Sequence, residues 1–290
     1  MLKKRLIACL VLRNSVIVQS IGFRRYLPVG NAKTAIEFVA NWDVDEIVLL
    51  DITASREGRR PNLDLVASIS TRCFVPLTVG GGIHAIGDIQ QLIRAGADKI
   101  CINAEALARP DFITESVAVY GSQCVVVSID IKLNGQGRYE VYGDGGRKPT
   151  GLDPVEWARE VERRGAGEIF LNSIDRDGSK QGYDLRLIRA VAESAKIPVI
   201  ACGGVGKMEH FVEGILEGKA SAVAAANIFH YIEHSTIVAK AYLRQAGVPI
   251  RLDTPANYAR FKFDEAGRIL KQADSDLDQI WFDKHIVEQI

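Results

Sequence analysis

The sequence predicts an α/β chain folded as a (β/α)8 TIM barrel made of two half-barrel repeats. Two observations carry this: eight short apolar runs alternate with segments of helical periodicity, and the second half of the chain repeats the glycine-rich signature of the first. The runs Leu6–Leu12, Ile47–Leu50, Phe74–Val79, Lys99–Ile102, Cys124–Ile129, Ile169–Leu171, Val199–Ala201 and Ala222–Ala225 have the length of strands. Between them, Ala32–Asn41, Gly87–Ala95, Pro154–Arg164 and Leu185–Ala195 place apolar residues at the spacing of helices that cover a sheet. Such alternation implies parallel strands joined by right-handed crossovers. The repeat then selects closure. Pro76-Leu-Thr-Val-Gly-Gly-Gly-Ile83 aligns with Pro198-Val-Ile-Ala-Cys-Gly-Gly-Val205 at an offset of 122, which also brings Gly96 onto Gly218 and Ala104 onto Ala226. Two four-strand halves close into a barrel more naturally than they form a doubly wound open sheet. The barrel is expected over residues 1–250, with a partly helical C-terminal extension over 251–290.

A chain of 290 residues has ample length for a large buried core. Its 36 Lys and Arg balance 36 Asp and Glu, so no global field draws it to nucleic acid or an anionic membrane; any polyanion site must be local. No apolar stretch approaches the roughly 18 residues that cross a bilayer. At the start, Leu6–Leu12 is short and Arg13 interrupts it, which reads as a strand and not as a cleaved leader. The five cysteines, Cys9, Cys73, Cys101, Cys124 and Cys202, are odd in number and mostly within apolar runs, which suits reduced thiols in the cytoplasm. Zinc-type spacings are absent and His230, His234 and His285 form no ligand pattern, so neither a metal nor a cofactor is expected.

In such a barrel the loops after the strands carry the chemistry. Gly80, Gly81 and Gly82 follow the third strand, and Gly203 and Gly204 the seventh; glycine there lets backbone N–H groups approach an anion. Beside them, Asn103-Ala104 and Ala226-Asn227 end the fourth and eighth strands and lead into helix starts that attract phosphate. Each half can therefore hold one phosphate, which makes a phosphorylated small molecule the expected substrate. A turn requirement alone also explains a glycine after a strand, but the symmetric pairing favours phosphate.

Asp51 ends the second strand, Asp130 the fifth, and Asp175 and Asp177 follow the sixth in a run that contains Asn172. Asp130 closes an otherwise apolar strand and is the foremost acid/base candidate, with Asp177 next; a loop-capping role is the plainer alternative. His84 and His210 follow the glycine turns and read as helix-start residues within reach of a substrate. The first strand, counterpart of the fifth, offers Val11 where a second carboxylate would stand, and a hydrocarbon has no proton to exchange. At the opposite end Arg5, Glu46, Lys99 and Glu168 stand at strand starts. Turned inward, two cations and two anions would form a neutral ring across the axis, able to act as a gate; turned outward, they would be ordinary solvated charges.

Together these residues resemble the cyclase subunit of imidazole glycerol phosphate synthase over roughly residues 1–250. The segments that carry the resemblance are Arg-Leu-Ile-Ala-Cys-Leu, Leu-Leu-Asp-Ile-Thr-Ala-Ser, Thr-Val-Gly-Gly-Gly-Ile-His, Gly-Ala-Asp-Lys-Ile, Gly-Ser-Gln-Cys-Val-Val-Val, Arg-Arg-Gly-Ala-Gly-Glu-Ile, Ser-Ile-Asp-Arg-Asp-Gly and Gly-Lys-Met-Glu-His-Phe. The resemblance implies a barrel of histidine biosynthesis with a glutaminase docked at its N-terminal face. Ammonia released there would pass a charged gate corresponding to Arg5, Glu46, Lys99 and Glu168, and Asp98 matches a position that helps hold the glutaminase. The family uses an aspartate on the first strand and another on the fifth; here Asp130 is kept and Val11 replaces the first. A family lysine after the first strand is Gln19, and a serine of the eighth-strand phosphate loop is Asn227. A retained gate with an altered top resembles the cyclase-like paralogs of surface-polysaccharide synthesis, which work with a glutaminase and an amidotransferase to convert an acetamido group on a nucleotide-linked or related sugar into an acetamidino group. Those relatives also carry an aliphatic residue at the first-strand position and the run Leu171–Gly178.

Three functions follow from the resemblance: an ammonia-channelling subunit for amidine formation on a sugar, a true cyclase in which Asp130 or Asp177 compensates for Val11, and a scaffold that only activates a glutaminase. From about Arg251 the chain runs past the resemblance, and Ile280, Trp281, Ile286 and Ile290 are the apolar anchors expected to pack on the barrel or a partner.

Overall fold

The computed structural model describes residues 3–230, 234–252, 258–259, 261–264 and 267–270. Eight parallel strands close on themselves: Arg5–Arg13, Glu46–Asp51, Leu77–Gly80, Lys99–Ile102, Val125–Leu133, Glu168–Ser173, Val199–Cys202 and Ala222–Ala225. Each bonds its neighbour in chain order, and the eighth returns to the first with Arg5 opposite Ala222. Closure removes every sheet edge, so the strand positions alternate between an inner lumen and an outer face under the helices.

The helices form where a cap and an apolar stripe coincide. Asn31, Asp153 and Asp184 each accept a backbone N–H of the first turn, and Pro154 occupies a first-turn position that needs no donor. The helices Ala32–Asn41, Pro154–Arg163 and Leu185–Ser194 turn Ile36 and Val39, Trp157 and Val161, and Ile188 and Val191 onto the sheet. Inside the barrel a separate apolar layer contains Ile7, Cys9, Val48, Val126, Phe170 and Ile200.

The third strand begins at Leu77 and not at Phe74, whose ring stands 83 % exposed before Pro76. Two further differences bear on the site. The first and fifth strands each continue into an antiparallel hairpin, Val16–Ile21 with Arg25–Asn31 and Tyr139–Gly143 with Lys148–Pro149. The first strand folds back into Val16–Ile21 on Asn14 and Ser15, both with positive φ, the backbone that a two-residue turn of this kind requires, and Gly22 and Phe23, also with positive φ, turn the chain again into Arg25–Asn31. Second, the internal offset of 122 holds through the third and seventh strands and then lengthens by one. The extra residue falls between Glu217 and Ala220, where Lys219 (φ +63°) takes the left-handed backbone of Gly96 (φ +105°), so the helix start at Asn103 matches Ala226, and Ala104 matches Asn227.

In the extension, Gln245 Nε2 donates to the carbonyls of Ala259 (3.1 Å) and Phe261 (2.7 Å), the ring of Phe263 meets that of Tyr242, and Phe263 bridges Ile269. Among the described residues after 250 there is no helix. Ile280, Trp281, His285, Ile286 and Ile290 lie outside the described residues.

Candidate active site

The C-terminal ends of the strands surround a cavity of about 960 Å³. Asp130 and Val11 both line it, as do Asp51, Asn103, Asn172, Asp177 and Ala226. Asp130 is held from two sides: Asn103 Nδ2 donates to it at 3.1 Å and Ser128 Oγ approaches at 3.4 Å. Burial disfavours the charged carboxylate and pushes its pKa up to about 7; the Ser128 contact opposes this, and the nearby Asp177 charge adds to it. Asp177 is raised by burial too, against three donors: Ser20 Oγ at 2.6 Å and Phe23 N–H at 3.2 Å reach its carboxylate, while the Gly22 N–H bonds its carbonyl. Two carboxyl groups with raised pKa values therefore face one cavity, and Asp130, at about 7, is the one suited to acid or base work near neutral pH. The strand-1 position opposite this chemistry is Val11, 8 % exposed and flanked by Val18 and Leu50.

Asp51 is more committed to its own loop. It accepts from Thr53 N (3.0 Å), Thr53 Oγ1 (2.8 Å) and Ala54 N (3.2 Å), with Arg59 at 3.4 Å. Asp175 binds the Leu133 N–H at 2.8 Å and so braces the fifth-strand hairpin. His210 accepts the Gly206 N–H at 3.1 Å, and His84 sits 3.4 Å from Glu105.

The two glycine turns have matching backbones and unequal access. Gly81 (φ +106°) and Gly204 (φ +109°) leave no room for a side chain: an added Cβ would stand 2.2 Å from the Asp51 carbonyl oxygen or 2.1 Å from that of Gly182. Gly81, Gly82, Asn103 and Ala104 line the cavity; Gly203, Gly204 and Asn227 do not. Gly204 packs against the loop after the sixth strand, its carbonyl accepting the Gly182 N–H at 2.8 Å, while the first hairpin's turn Ser20–Phe23 meets Asn227, whose Nδ2 donates to the Ser20 carbonyl at 2.8 Å, and Gly178, which packs beside Ser20 and Ile21. The carboxamide oxygens of Asn172 and Asn227 are buried there without a donor among the described residues, so a ligand N–H or O–H would find acceptors ready.

Ser20, Phe23 and Tyr26 were not expected to line the site. Their one signal is Arg13-Asn14-Ser15 between two apolar runs, a hairpin pattern lacking the usual glycine.

At the other end, Arg5, Glu46, Lys99 and Glu168 turn inward and close a ring of ion pairs. Arg5 reaches Glu46 at 2.7 Å and Glu168 at 2.6 Å; Lys99 reaches Glu46 at 3.1 Å and Glu168 at 3.0 Å. Burial alone would lower the Arg5 pKa, but the two glutamates outweigh it and raise it. Thr78 joins the ring by donating to Glu46 at 2.8 Å, a partner that strand-start charge counting missed because threonine carries none. Asp98, exposed on the same face, accepts the Leu77 N–H at 2.8 Å and pins the start of the third strand.

The fold and these two ends define a TIM barrel with a charged ring below and a carboxylate-lined cavity above. Residues 5–235 match the family described as histidine biosynthesis protein. Over 268 residues, 92 % of this chain and 98 % of the relative, the sequence is 50 % identical to a Vibrio vulnificus (strain YJ016) protein named "Putative imidazole glycerol phosphate synthase subunit hisF2". The chain belongs to the histidine biosynthesis protein family, as a barrel of the imidazole glycerol phosphate synthase cyclase type.

Proposed function

We propose that this barrel is the ammonia-receiving subunit of a glutamine-dependent complex that converts an acetamido group on a sugar into an acetamidino group. A glutaminase docks on the N-terminal face, with Asp98 in its footprint, and an amidotransferase completes the complex. Ammonia enters through the ring of Arg5, Glu46, Lys99 and Glu168. The apolar lumen above it, lined by Ile7, Val48, Val126 and Phe170, favours neutral ammonia over ammonium, because an unpaired charge there has no partner. In the cavity the nitrogen adds to the amide carbon. Asp130, poised near neutrality, passes two protons in turn from the added nitrogen to the amide oxygen, which leaves as water as the C=N bond forms.

One observation carries this reading: the ion ring at the inlet is complete, whereas the outlet sets Val11 where the cyclase mechanism places its first aspartate. The proximity of Asp177 to Asp130, each with a raised pKa, supports a second reading in which that pair replaces the missing partner and the chain is a genuine cyclase. Supplying the purified protein and its glutaminase with the histidine-pathway intermediate and ammonia separates the two. The amidine reading predicts no imidazole glycerol phosphate above background, and formation at an ordinary cyclase rate ends it.

A further inference from the structure

Outside the lumen, a lysine is sealed against the starts of the strands that carry the ion ring. Lys240 lies on the helix Ser235–Gln245, which follows the eighth strand, and its side chain is 1 % exposed. Its Nζ donates to Asp45 Oδ1 at 2.8 Å and stands 3.3 Å from Asp43 Oδ2. A buried ion pair is a poor source of stability, because desolvation of the two charges offsets their attraction, so what it fixes in place matters more than what it adds.

What it fixes is Asp45. The other carboxylate oxygen of Asp45 accepts the Leu6 N–H at 2.8 Å, and the Asp45 N–H donates to the Leu6 carbonyl at 2.9 Å. Leu6 follows Arg5 and Asp45 precedes Glu46, so this two-bond clamp ties together the backbones on which that ion pair stands. The same clamp recurs across the ring. Asp98, before Lys99, accepts the Leu77 N–H and donates to the Leu77 carbonyl, both at 2.8 Å, and Leu77 precedes Thr78. Asp98 is exposed and bonds no cation among the described residues, whereas the Asp45 clamp is covered and carries Lys240. On the other side of Arg5, the Lys4 N–H donates at 2.8 Å to the carbonyl of Pro249, just beyond the same helix. Both chain neighbours of Arg5 are thus held from one helix.

Resting on the reading that ammonia enters through the ring, we infer that Lys240 is a positioning residue for that inlet: through Asp45 it holds Leu6, and with it Arg5, in register with Glu46. Without the ammonium, the Asp45 carboxylate loses its counter-charge in a buried place, and turning it toward water releases Leu6. Arg5 then parts from Glu46 and the inlet leaks. Among the described residues Lys240 bonds none of the four ring side chains, so it acts on the ring only through the backbone.

Two measurements on the full chain test this. The first needs no substrate: in 15N-arginine-labelled protein, the Arg5 Nε–H resonance, identified by its loss in Arg5→Lys, reports exchange with water. Lys240→Met should speed that exchange roughly fivefold. The second supplies the complex of barrel, glutaminase and amidotransferase with amide-15N glutamine against excess unlabelled ammonium, and reads the label in whichever product forms, amidine or imidazole glycerol phosphate. Lys240→Met should lower the glutamine-derived share about twofold. Adding Asp45→Asn to Lys240→Met separates positioning from the plain loss of a contact. A neutral carboxamide needs no cation and still accepts the Leu6 N–H, so the double variant should return both readouts to the parent's level. Val191→Ala, a core truncation on another helix, serves as the stability control and should move neither. Parent-like exchange or parent-like label in Lys240→Met, or a double variant as defective as the single one, would overturn the proposal. The outcomes stay distinct from those of the amidine reading. Imidazole glycerol phosphate that shows the label shift sinks that reading and leaves the positioning role, whereas amidine carrying equal label in parent and Lys240→Met does the reverse.

Discussion

The two ends of this barrel handle charge in opposite ways. At the N-terminal end, two cations and two anions satisfy one another in a closed ring within 3.1 Å, with Thr78 bonded to Glu46. At the C-terminal end, Asp130 and Asp177 share a cavity with no cation bonded to either among the described residues, and burial pushes both pKa values up. Mutual satisfaction makes a stable closure; burial without a counter-cation leaves carboxyl groups with raised pKa values, Asp130 at about 7. Under the proposed function, the difference puts proton chemistry at one end and passage at the other.

Breaking the upper end should have the largest effect. Asp130→Asn keeps the shape and the Asn103 contact and removes the exchangeable proton, so turnover of the complex should fall about 10²- to 10⁴-fold, the usual worth of a positioned acid or base, with glutamine hydrolysis intact. Product formation by steady-state assay checks this, and a loss under threefold would assign the proton transfer to another group. Breaking the lower end should act on stability first. Glu46→Gln leaves Arg5 and Lys99 short of a buried partner, and denaturant unfolding should show a loss of about 3–5 kcal/mol. A smaller loss, near that of a surface pair, would mean that the ring is already solvated.

The pH dependence sharpens the contrast. The folded-state pKa of Asp130, about 7, lies above the ordinary carboxyl value of about 3.9. The folded protein therefore holds a proton that the unfolded chain releases. This contribution to stability is fully present below about pH 4, is lost as the pH climbs through 7, and is constant above that. Relative to the parent, Asp130→Asn should become progressively more stable from pH 4 to pH 7. Urea midpoints that run parallel across this range would contradict the assignment.

Gly204→Ala is expected to have a smaller effect, about 1–3 kcal/mol, from strain at φ +109° and crowding by the Gly182 carbonyl. Equal stability of parent and variant would show that the turn relaxes. Val11→Asp is the most local change. By placing a second carboxylate in the cavity it should raise the Asp130 pKa further, seen as an alkaline shift of the activity profile, and an unchanged profile would mean that the two positions do not interact.

Much of this architecture was legible because closure and repetition leave strong marks. The eight strands follow from apolar runs, and the helix Ala32–Asn41 has the boundaries its periodicity gives. Their places at strand starts singled out the four ring charges and the family resemblance gave them a gate role, but their pairing is a property of the closed barrel, since Arg5 and Glu168 are brought together by the sheet and not by spacing. The hairpins were harder to see. Arg25–Asn31 contains Pro28, Gly30 and several exposed residues and so lacks the alternation of a half-buried strand. For that reason Ser20, Phe23 and Tyr26 were invisible as site residues, although their turn holds Asp177 and Asn227. The one-residue slip before Lys219 was hidden because an alignment anchored on glycines pairs Gly96 with Gly218, whereas the left-handed backbone of Gly96 recurs at Lys219.

The central claim is that nitrogen enters through the ring and reaches the carboxylate end without mixing with solvent. Reconstituting the barrel with its glutaminase and amidotransferase, then supplying amide-15N glutamine against excess unlabelled ammonium, measures this by mass spectrometry of the product. The parent complex should yield product labelled almost wholly from glutamine, and Lys99→Ala should dilute the label toward the solvent ratio. Product from the parent that already carries the solvent ratio would contradict the account.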